Sequence, residues 1–328
     1  MCKMSQKILS IVIPTYNMEA YLRRCLDSVT RSDVPDSLEL IVVNDGSTDG
    51  SLAIMQEYAQ KRSDIVNIIN KPNGHYGSCV NAALKAATGK YFRILDADDW
   101  FDTDELIELI KKLQKADADI VITAYKKHRK SKIISYEAKD VDFDTVYNIK
   151  DESFWQKQDF ELFVMHSMTF KTRVLRDSNL MLIEGICYTD NEFLIYPVSK
   201  AKTMVFFDIM LYNYDMTREG QSMDPKVQAR NHNDLAVIID RFLPILPSLN
   251  DFSQKFCERV ILSYYYRMLF CFKSDEELKR IDFLIRTTKR DLLDNVSKKL
   301  FYTPVLWRLF GMHFLFYEKV KRLLQIDR

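Results

Sequence analysis

Three carboxylates lie within four residues at Asp96-Ala97-Asp98-Asp99, directly after the apolar run 91–95. Like charges this close together repel one another, so their placement at one strand end costs stability unless a cation or hydrogen-bond donors neutralise them. Mg²⁺ and Mn²⁺ prefer such oxygen ligands, particularly where phosphates complete the coordination. The structural alternative is an exposed acidic turn that caps the next helix. Because the cluster follows an apolar strand within a series of strands and helices, we favour a metal site.

Two further polar segments have the composition of ligand-binding loops. Asp45 follows a buried strand and can accept hydrogen bonds from a base or a ribose. An Asx turn with a helix cap at Ser47 or Asp49 explains the same segment equally well. Residues 73–78, beginning at Asn73, form a turn-rich loop that can lie over a phosphate or a sugar. Neither the Rossmann nor the P-loop fingerprint occurs, so a plain loop stays an open alternative.

Alternating strands and helices must position these segments. Apolar, β-branched runs typical of buried parallel strands alternate with segments of helical spacing. The pattern predicts strands over 8–14, 38–43, 65–70 and 91–95, and helices over 51–62 and 80–87. This alternation predicts an α/β fold with a doubly wound, mostly parallel sheet. Ligands bind such sheets at the carboxyl ends of the strands, which is where the polar segments fall.

Beyond residue 100 the pattern is looser, and the charge distribution changes along the chain. The sequence predicts a helix over 104–115, a strand over 120–125, a polar hairpin or insertion over 126–150, a helix over 154–164, an extended segment over 203–214 and helices from about residue 226. Residues 1–225 carry a formal charge of −6, and residues 226–328 carry +7. A basic, aromatic tail on an acidic body suggests contact with an anionic surface, such as a membrane face.

The composition excludes several classes of protein. Only 8 of the 328 residues are glycine, and five of these lie between 46 and 89, which excludes collagen-like and low-complexity chains. The six cysteines show no CxxC pair, as expected of buried thiols in a reducing compartment. The sequence has no signal-peptide pattern and no run of about 18 apolar residues. We therefore expect a cytoplasmic protein.

Four ordered segments resemble the family 2 glycosyltransferases of bacterial cell-surface polysaccharide assembly. They are Ser-Ile-Val-Ile-Pro-Thr-Tyr-Asn (10–17), Ile-Val-Val-Asn-Asp-Gly-Ser-Thr-Asp (41–49), Asn81-Ala82, and the segment from Ala87 to Trp100. The resemblance covers about the first 125 residues and becomes scattered up to about 225. It implies a GT-A fold, with the doubly wound sheet flanked by helices. The catalytic domain would span 1–225, with a donor half over 1–125 and an acceptor half over 126–225, followed by a helical C-terminal region over 226–328.

The resemblance also implies roles on the sugar-donor side of the site. Family members use a nucleotide-sugar donor and a divalent cation, Mn²⁺ or Mg²⁺, and invert the anomeric carbon. By motif position, Pro14, Tyr16 and Asp45 would hold the nucleobase, with Asn73 in the loop that faces the sugar donor. Asp96 would face the ribose or the donor sugar. Asp98, together with Asp99, would bind the metal that bridges the diphosphate.

On the acceptor side, the family usually supplies its general base from a Glu-Asp pair before an apolar helix. In this sequence Asp190 matches the Asp of that pair, but Thr189 stands where the Glu is expected. We predict Asp190 as the base, with Glu192 as the fallback; a helix N-cap at Asp190 is compatible with this role. Arg218 lies in a segment that resembles the family's closing segment, where an Arg can reach the diphosphate, and a plain surface charge is its alternative.

His166 precedes Phe170-Lys171, a segment that often lines the acceptor side in the family. The alternative for a lone histidine is a satisfied structural residue.

These features predict an inverting, metal-dependent enzyme that uses a UDP-sugar rather than a GDP- or dTDP-sugar. The acceptor would be a hydroxyl of a surface glycan or a lipid-linked glycan. A catalytically impaired sugar-nucleotide-binding or scaffold protein stays open because of Thr189. A nucleotidyltransferase is less favoured, because its glycine- and Lys/Arg-rich triphosphate loop is missing. No nucleic-acid partner is expected.

The C-terminal segment 300–328 is apolar nearly all round and ends in basic residues. We expect it to pack on the catalytic domain or on a second subunit, ahead of a peripheral contact with the inner face of the plasma membrane.

Overall fold

The computed structural model describes residues 6–218, 220–222, 227, 230–271, 276–289 and 292. The chain divides into two compact units, with the boundary between Arg218 and Glu219.

The first unit is built on one mixed sheet. Its strands are β1 (Leu9–Thr15), β2 (Leu38–Asp45), β3 (Val66–Lys71), β4 (Tyr91–Ile94), β5 (Trp100–Phe101), β6 (Ile120–Arg129), β7 (Lys132–Tyr136), β8 (Val146–Asn148), β9 (Met168–Lys171) and β10 (Thr203–Asp215). The strand order is β3-β2-β1-β4-β9-β6-β10-β5, with β7 beside β6 and β8 beside β10. Strands β3, β2, β1 and β4 are mutually parallel, as the sequence predicts. β2 is buried along its whole length, which agrees with its apolar run over residues 40–43.

Helices connect and cover these strands. They are α1 (Glu19–Thr30), α2 (Ser51–Lys61), α3 (His75–Ala86), α4 (Thr103–Lys115), α5 (Glu152–Trp155), α6 (Thr172–Asp177) and α7 (Asp190–Lys200), with a 3₁₀ turn over Phe160–Leu162. Asp102 caps α4 by accepting hydrogen bonds from the backbone N–H groups of Asp104 and Glu105. The helix buries Leu106, Leu109, Ile110 and Leu113 at helical spacing, so its apolar stripe faces the sheet.

The region after residue 115 departs from the sequence-based expectation in two places. Strand β9 was not predicted; it lies antiparallel between β4 and β6 and joins the two parallel parts of the sheet. The predicted helix over 154–164 is wrong, because the chain forms only α5 and the separate 3₁₀ turn. Asp159 begins that turn by accepting a hydrogen bond from the N–H of Glu161 at 2.9 Å. The hairpin expected within 126–150 is confirmed as the pairing of β6 with β7.

The second unit is helical among its described residues, as the sequence predicts. It contains α8 (His232–Phe242), a 3₁₀ segment (Leu243–Ser248), α9 (Asp251–Cys271) and α10 (Glu276–Thr288). Pro244 and Pro247 fall within the 3₁₀ segment. In the part of the chain that the structure describes, no helix is long and apolar enough to cross a membrane. The segment 300–328 lies outside the described residues.

Candidate active site

The polar segments predicted from the sequence meet at one edge of the sheet. β1 and β2 pair in parallel so that Thr15 lies beside Asn44, and β2 and β3 pair so that Asp45 lies beside Lys71. β4 is parallel to β1 and leads into the acidic turn at Asp96. Because the carboxyl ends of parallel strands share an edge, Asp45 and the acidic turn open onto the same side of the molecule.

Asp45 is a buried carboxylate with a positive partner. Its Oδ1 accepts hydrogen bonds from Nζ of Lys71 at 2.6 Å and from the backbone N–H of Gly74 at 3.0 Å. These bonds attach the end of β2 to the start of α3. The backbone N–H of Thr48 is held separately by the side chain of Asn17 at 2.8 Å, so the turn after Asp45 is rigidly placed.

The other residues predicted to bind the donor differ in their exposure. Tyr16 is 48% exposed, and Pro14 is half-buried. Asn73 is exposed, and its backbone lies so close to Gly46 that a Cβ at Gly46 would come within 2.9 Å of the Asn73 nitrogen. Gly46 has a φ of +73°, which favours glycine. The expected loop over residues 73–78 is mostly wrong, because α3 begins at His75 and these residues form its first turn.

Each carboxylate of the acidic turn has a different protein partner. Asp99 is fully buried; its Oδ2 accepts from the hydroxyl of Tyr212 at 2.6 Å and its Oδ1 from the backbone N–H of Asp215 at 2.7 Å. Asp96 accepts from the hydroxyl of Tyr76 at 3.0 Å. The turn is therefore held by β10 on one side and by α3 on the other.

Asp98 contacts two arginines. Its carboxylate forms an ion pair with Arg218, with 2.6 Å between Oδ2 and Nε. Its carbonyl accepts from Arg24 at 2.5 Å, and Arg24 also pairs with Asp215 at 2.9 Å. Arg218 thus reaches the acidic turn rather than standing as an isolated surface charge.

The acidic turn is electrostatically strained. Burial, followed by the neighbouring charge of Asp98, raises the pKa of Asp96 to about 7. Burial and the charges of Asp98 and Asp96 also raise the pKa of Asp99 well above its usual range. Bound cations relieve this kind of repulsion, so the geometry favours a site for positive charge.

His166 lies beside these carboxylates. His166 is half-buried and its ring stacks on Tyr214, with 4.3 Å between ring centroids, while Arg93 donates to its backbone carbonyl. Burial, helped by the nearby charges of Lys127 and Arg93, lowers its pKa to about 3, so the ring is neutral near pH 7. Its buried Nδ1 has no hydrogen-bond partner.

The chemistry of this group of side chains suits a divalent metal. One ligand atom from each of Asp96, Asp99 and His166 lies within 4.8 Å of the others. Two carboxylates and a neutral imidazole are common ligands of divalent transition metals. The residues present therefore fit a bound cation, with Asp99 shared between this set and the Asp98–Asp99 pair predicted from the sequence.

Asp190 is the first residue of α7, and its charge affects two groups of the site. Its negative charge contributes to the raised pKa values of Asp96 and of Tyr76. Glu192, the fallback base, is fully buried, and its Oε2 accepts from the backbone N–H of Ile183 at 2.9 Å. Glu192 therefore holds the backbone that precedes α7, whereas Asp190 contributes negative charge at Asp96 and Tyr76.

The sequence alone does not reveal three residues that hold the site together from distant positions in the chain. Tyr76, Tyr212 and Lys71 contact the predicted carboxylates, but each belongs to another element. Tyr212 begins the segment that resembles the family's closing segment and lies in the mostly buried strand β10, but the sequence carries no signal of its bond to Asp99. The placement of Lys71 at the end of β3 was visible, since that strand ends where β2 reaches Asp45.

The family and the fold are identified by comparison with known proteins. The model of the family described as "Glycosyl transferase family 2" matches residues 10–178. The glycosyltransferase GlyA of Streptococcus pneumoniae is 32% identical over 149 residues, which are 45% of this chain and 20% of GlyA. The chain spans only part of the curated relatives that it matches, from 11% of one to 61% of another.

Two solved structures share the architecture. Residues 1–349 of TarS from S. aureus in complex with UDP-GlcNAc superpose with a TM-score of 0.64 at 19% identity, covering 91% of this chain and 87% of that one. The mannosyltransferase PcManGT from Pyrobaculum calidifontis, in complex with GDP-Man and Mn²⁺, superposes with a TM-score of 0.52 at 14% identity, covering 93% and 88%. These likenesses confirm the GT-A fold. Since the family model covers over half of the chain, the protein belongs to glycosyl transferase family 2.

Proposed function

We propose that the protein transfers a sugar from a nucleoside-diphosphate sugar to a hydroxyl of a surface glycan or a lipid-linked glycan. The observation that carries the proposal is that Asp45 and the acidic turn at Asp96 lie at the same carboxyl edge of the sheet, where ligand atoms of Asp96, Asp99 and His166 lie within 4.8 Å of one another. Asp190, whose charge contributes to the raised pKa of Asp96, would be the carboxylate base beside this site for positive charge. Transfer to a hydroxyl needs both groups, one for the attacking oxygen and one for the leaving diphosphate.

The nucleotide would lie over Asp45, with the nucleobase against Pro14 and the exposed ring of Tyr16. We favour UDP as the nucleotide. The structure of TarS with UDP-GlcNAc supports this choice, and that of PcManGT with GDP-Man marks the alternative. Asn73 would lie near the donor, and Asp96 would face its ribose or sugar.

The cation would be Mn²⁺ or Mg²⁺, and two sets of side chains fit it. One is Asp98 with Asp99; the other is Asp96, Asp99 and His166. When bound, the cation neutralises negative charge that develops on the leaving diphosphate. In the first set, Asp98 would have to release its ion pair with Arg218, and the guanidinium would then be available to the diphosphate. The Mn²⁺ in the PcManGT structure supports a cation in this fold.

The proposed reaction needs one proton transfer. Asp190 accepts the proton of the acceptor hydroxyl, and the acceptor oxygen forms a bond to C1 of the donor sugar. The bond from C1 to the diphosphate oxygen breaks at the same centre, and the nucleoside diphosphate leaves with the electron pair. Attack from the side opposite the leaving group inverts the anomeric carbon. The catalytically impaired scaffold is the alternative, because Thr189 stands in place of the expected Glu.

The place of action is also a proposal. We propose a cytoplasmic enzyme that works on glycans at the inner face of the plasma membrane. The contact through residues 300–328, with the membrane or with a second subunit, lies outside the described residues.

Thermal unfolding in the presence of nucleotide-sugars tests the proposed donor. A ligand that binds only the native state stabilises it by about 2.7 kcal/mol at a concentration of 100 times Kd. We expect UDP-sugars with Mn²⁺ to raise the melting temperature, and expect Asp98→Asn to reduce this effect. Adenosine triphosphate with Mn²⁺ is the control for nonspecific phosphate binding. No shift with any UDP-, GDP- or dTDP-sugar would contradict the proposed function.

A further inference from the structure

Gly74, the residue immediately before α3, contacts both halves of the proposed site. The backbone N–H of Gly74 donates to Asp45, the proposed nucleotide-side carboxylate, at 3.0 Å. The carbonyl of the same residue accepts from the backbone N–H of Gly185 at 2.9 Å. Gly185 belongs to the loop of residues 182–185 that precedes α7, which we name the base loop. The backbone of Gly74, at the N-terminal end of α3, therefore joins the two halves.

Asn81 fastens the base loop to the same helix. Its Oδ1 accepts from the backbone N–H of Leu182, and its Nδ2 donates to the Leu182 carbonyl, both at 2.9 Å. The Nδ2 group also donates to the carboxylate of Glu184 at 3.0 Å. One side chain thus satisfies both backbone groups of Leu182, much as a neighbouring strand would, and fixes the loop in one position.

Close packing reinforces these bonds between α3 and the base loop. A Cβ at Gly77 would come within 2.2 Å of the Ile183 carbonyl oxygen, so the two backbones meet without room for a side chain. On its other side, the base loop is bound to α7, since the N–H of Ile183 donates to Glu192 at 2.9 Å. A continuous set of contacts therefore runs from Asp45 through α3 and the base loop to the helix that begins with Asp190.

We infer that α3 transmits nucleotide occupancy at Asp45 to the position of Asp190, and that Asn81 is a positioning residue for this base. The inference rests on the proposed function. Asn81 belongs to the Asn81-Ala82 motif of the sequence, to which neither the donor-binding nor the base role has been assigned. Displacement of a reacting group by about 1 Å can cost on the order of 10²-fold in rate, so a modest shift of the base loop is enough to matter.

The test measures hydrolysis of a UDP-sugar with Mn²⁺ in four proteins: wild type, Asn81→Ala, Asp190→Asn and the double variant. We expect Asn81→Ala to lower kcat about tenfold and to leave the donor KM within about twofold. In the Asp190→Asn background, Asn81→Ala should have no further effect, because there is no base left to position. If Asn81 had a purely structural role, Asn81→Ala would instead lower kcat by the same factor in the wild-type and the Asp190→Asn backgrounds.

Hydrogen exchange supplies a second readout on the same proteins. Addition of UDP and Mn²⁺ should slow amide exchange in residues 182–190 of the wild type but not of Asn81→Ala. The matched control is Asn67→Ala, an exposed asparagine of β3, which should behave as the wild type. Asn81→Asp keeps the acceptor for Leu182 and replaces the donor with a charge, so it gives the same prediction if the alanine variant does not fold.

The outcomes separate this inference from the proposed function. If wild type binds UDP and hydrolyses its sugar but Asn81→Ala does so at the same kcat, or loses activity equally in both backgrounds, the inference is overturned alone. Protection of residues 182–190 by UDP in Asn81→Ala overturns it as well. If wild type binds no nucleotide, both the proposed function and this inference are wrong.

Discussion

The ion pair between Asp98 and Arg218 places a protein cation on a carboxylate proposed to bind metal. Both side chains are largely buried, with 14% and 18% of their surfaces exposed. A guanidinium and a divalent cation cannot occupy the same carboxylate oxygen, so a cation bound at Asp98 would compete with Arg218. Arg218 therefore stabilises the acidic turn while no cation is bound.

Substitution of Arg218 tests this competition. Arg218→Gln should raise the affinity for Mn²⁺ in the absence of nucleotide by about tenfold, the equivalent of about 1.4 kcal/mol. Titration of the protein with Mn²⁺, followed by calorimetry or electron paramagnetic resonance, measures the effect. Arg23→Gln, which removes an exposed arginine paired with Glu57, serves as the control. Unchanged or weaker Mn²⁺ binding by Arg218→Gln would show that the two cations do not compete.

Substitution of the buried Asp99 should raise the melting temperature without metal and should abolish the further increase caused by Mn²⁺. Because burial raises its pKa, the charged form of Asp99 lowers the free energy of unfolding near pH 7. Asp99→Asn removes the charge with little change of shape, so the melting temperature without metal should rise by a few degrees. The increase in melting temperature on adding Mn²⁺ should disappear, since Asp99 belongs to both candidate ligand sets.

Differential scanning calorimetry with and without Mn²⁺ measures both effects of Asp99→Asn. Asp177→Asn, at an exposed ion pair with Arg173, is the control. A variant that is destabilised without metal but still stabilised by Mn²⁺ would contradict the assignment. His166→Phe and Asp98→Asn then distinguish the two ligand sets, because each removes a ligand from one set only.

The strands and helices that the sequence predicts correctly are those whose own residue pattern determines where they lie in the fold. The strands from β1 to β4 are apolar runs between helices, and their order along the chain leads directly to parallel pairing. β5 has two residues and β9 has four, and both depend on partners far away in the chain. Short strands of this kind leave no periodic signal, which is why neither was predicted.

The site was predictable to a similar extent. Asp96, Asp98 and Asp99 share one turn, and Asp45 ends a strand, so their spacing in the sequence already places them at the edge of the sheet. The position of His166 depends on antiparallel β9 and on stacking with Tyr214, neither of which is visible locally. The loop at Asn73 was extended too far because Gly74 and Gly77 suggested turns, whereas Gly77 is required for helix packing.

The packing of α3 on the base loop gives a prediction at this scale. Gly77→Ala would bring a Cβ to within 2.2 Å of the Ile183 carbonyl oxygen, and the backbones must separate to admit it. Overpacking of this kind typically costs about 1–3 kcal/mol of unfolding free energy. Urea unfolding measures the loss, with Lys85→Ala on the exposed face of the same helix as the control. Equal stability of Gly77→Ala and wild type would show that the base loop is loosely held.

The two units of the molecule differ in secondary structure and in charge. The first unit contains the sheet and all of the proposed donor, metal and base residues, and the second is helical among its described residues. The formal charge of −6 in residues 1–225 against +7 in residues 226–328 follows the same division approximately. We therefore propose that the donor, metal and base residues belong to the first unit, and the acceptor is the partner that the sequence constrains least.

The most direct test of the central claim is the release of UDP from a UDP-sugar in the presence of Mn²⁺, compared between wild type and Asp190→Asn. We predict measurable release by wild type and a rate about 10²–10⁴-fold lower in Asp190→Asn, the usual contribution of a positioned general base. The affinity of the variant for UDP should stay unchanged, because Asp190 is not proposed to touch the nucleotide. Release by Asp190→Asn at the wild-type rate, or the absence of release by wild type from every UDP-, GDP- and dTDP-sugar, would contradict the account.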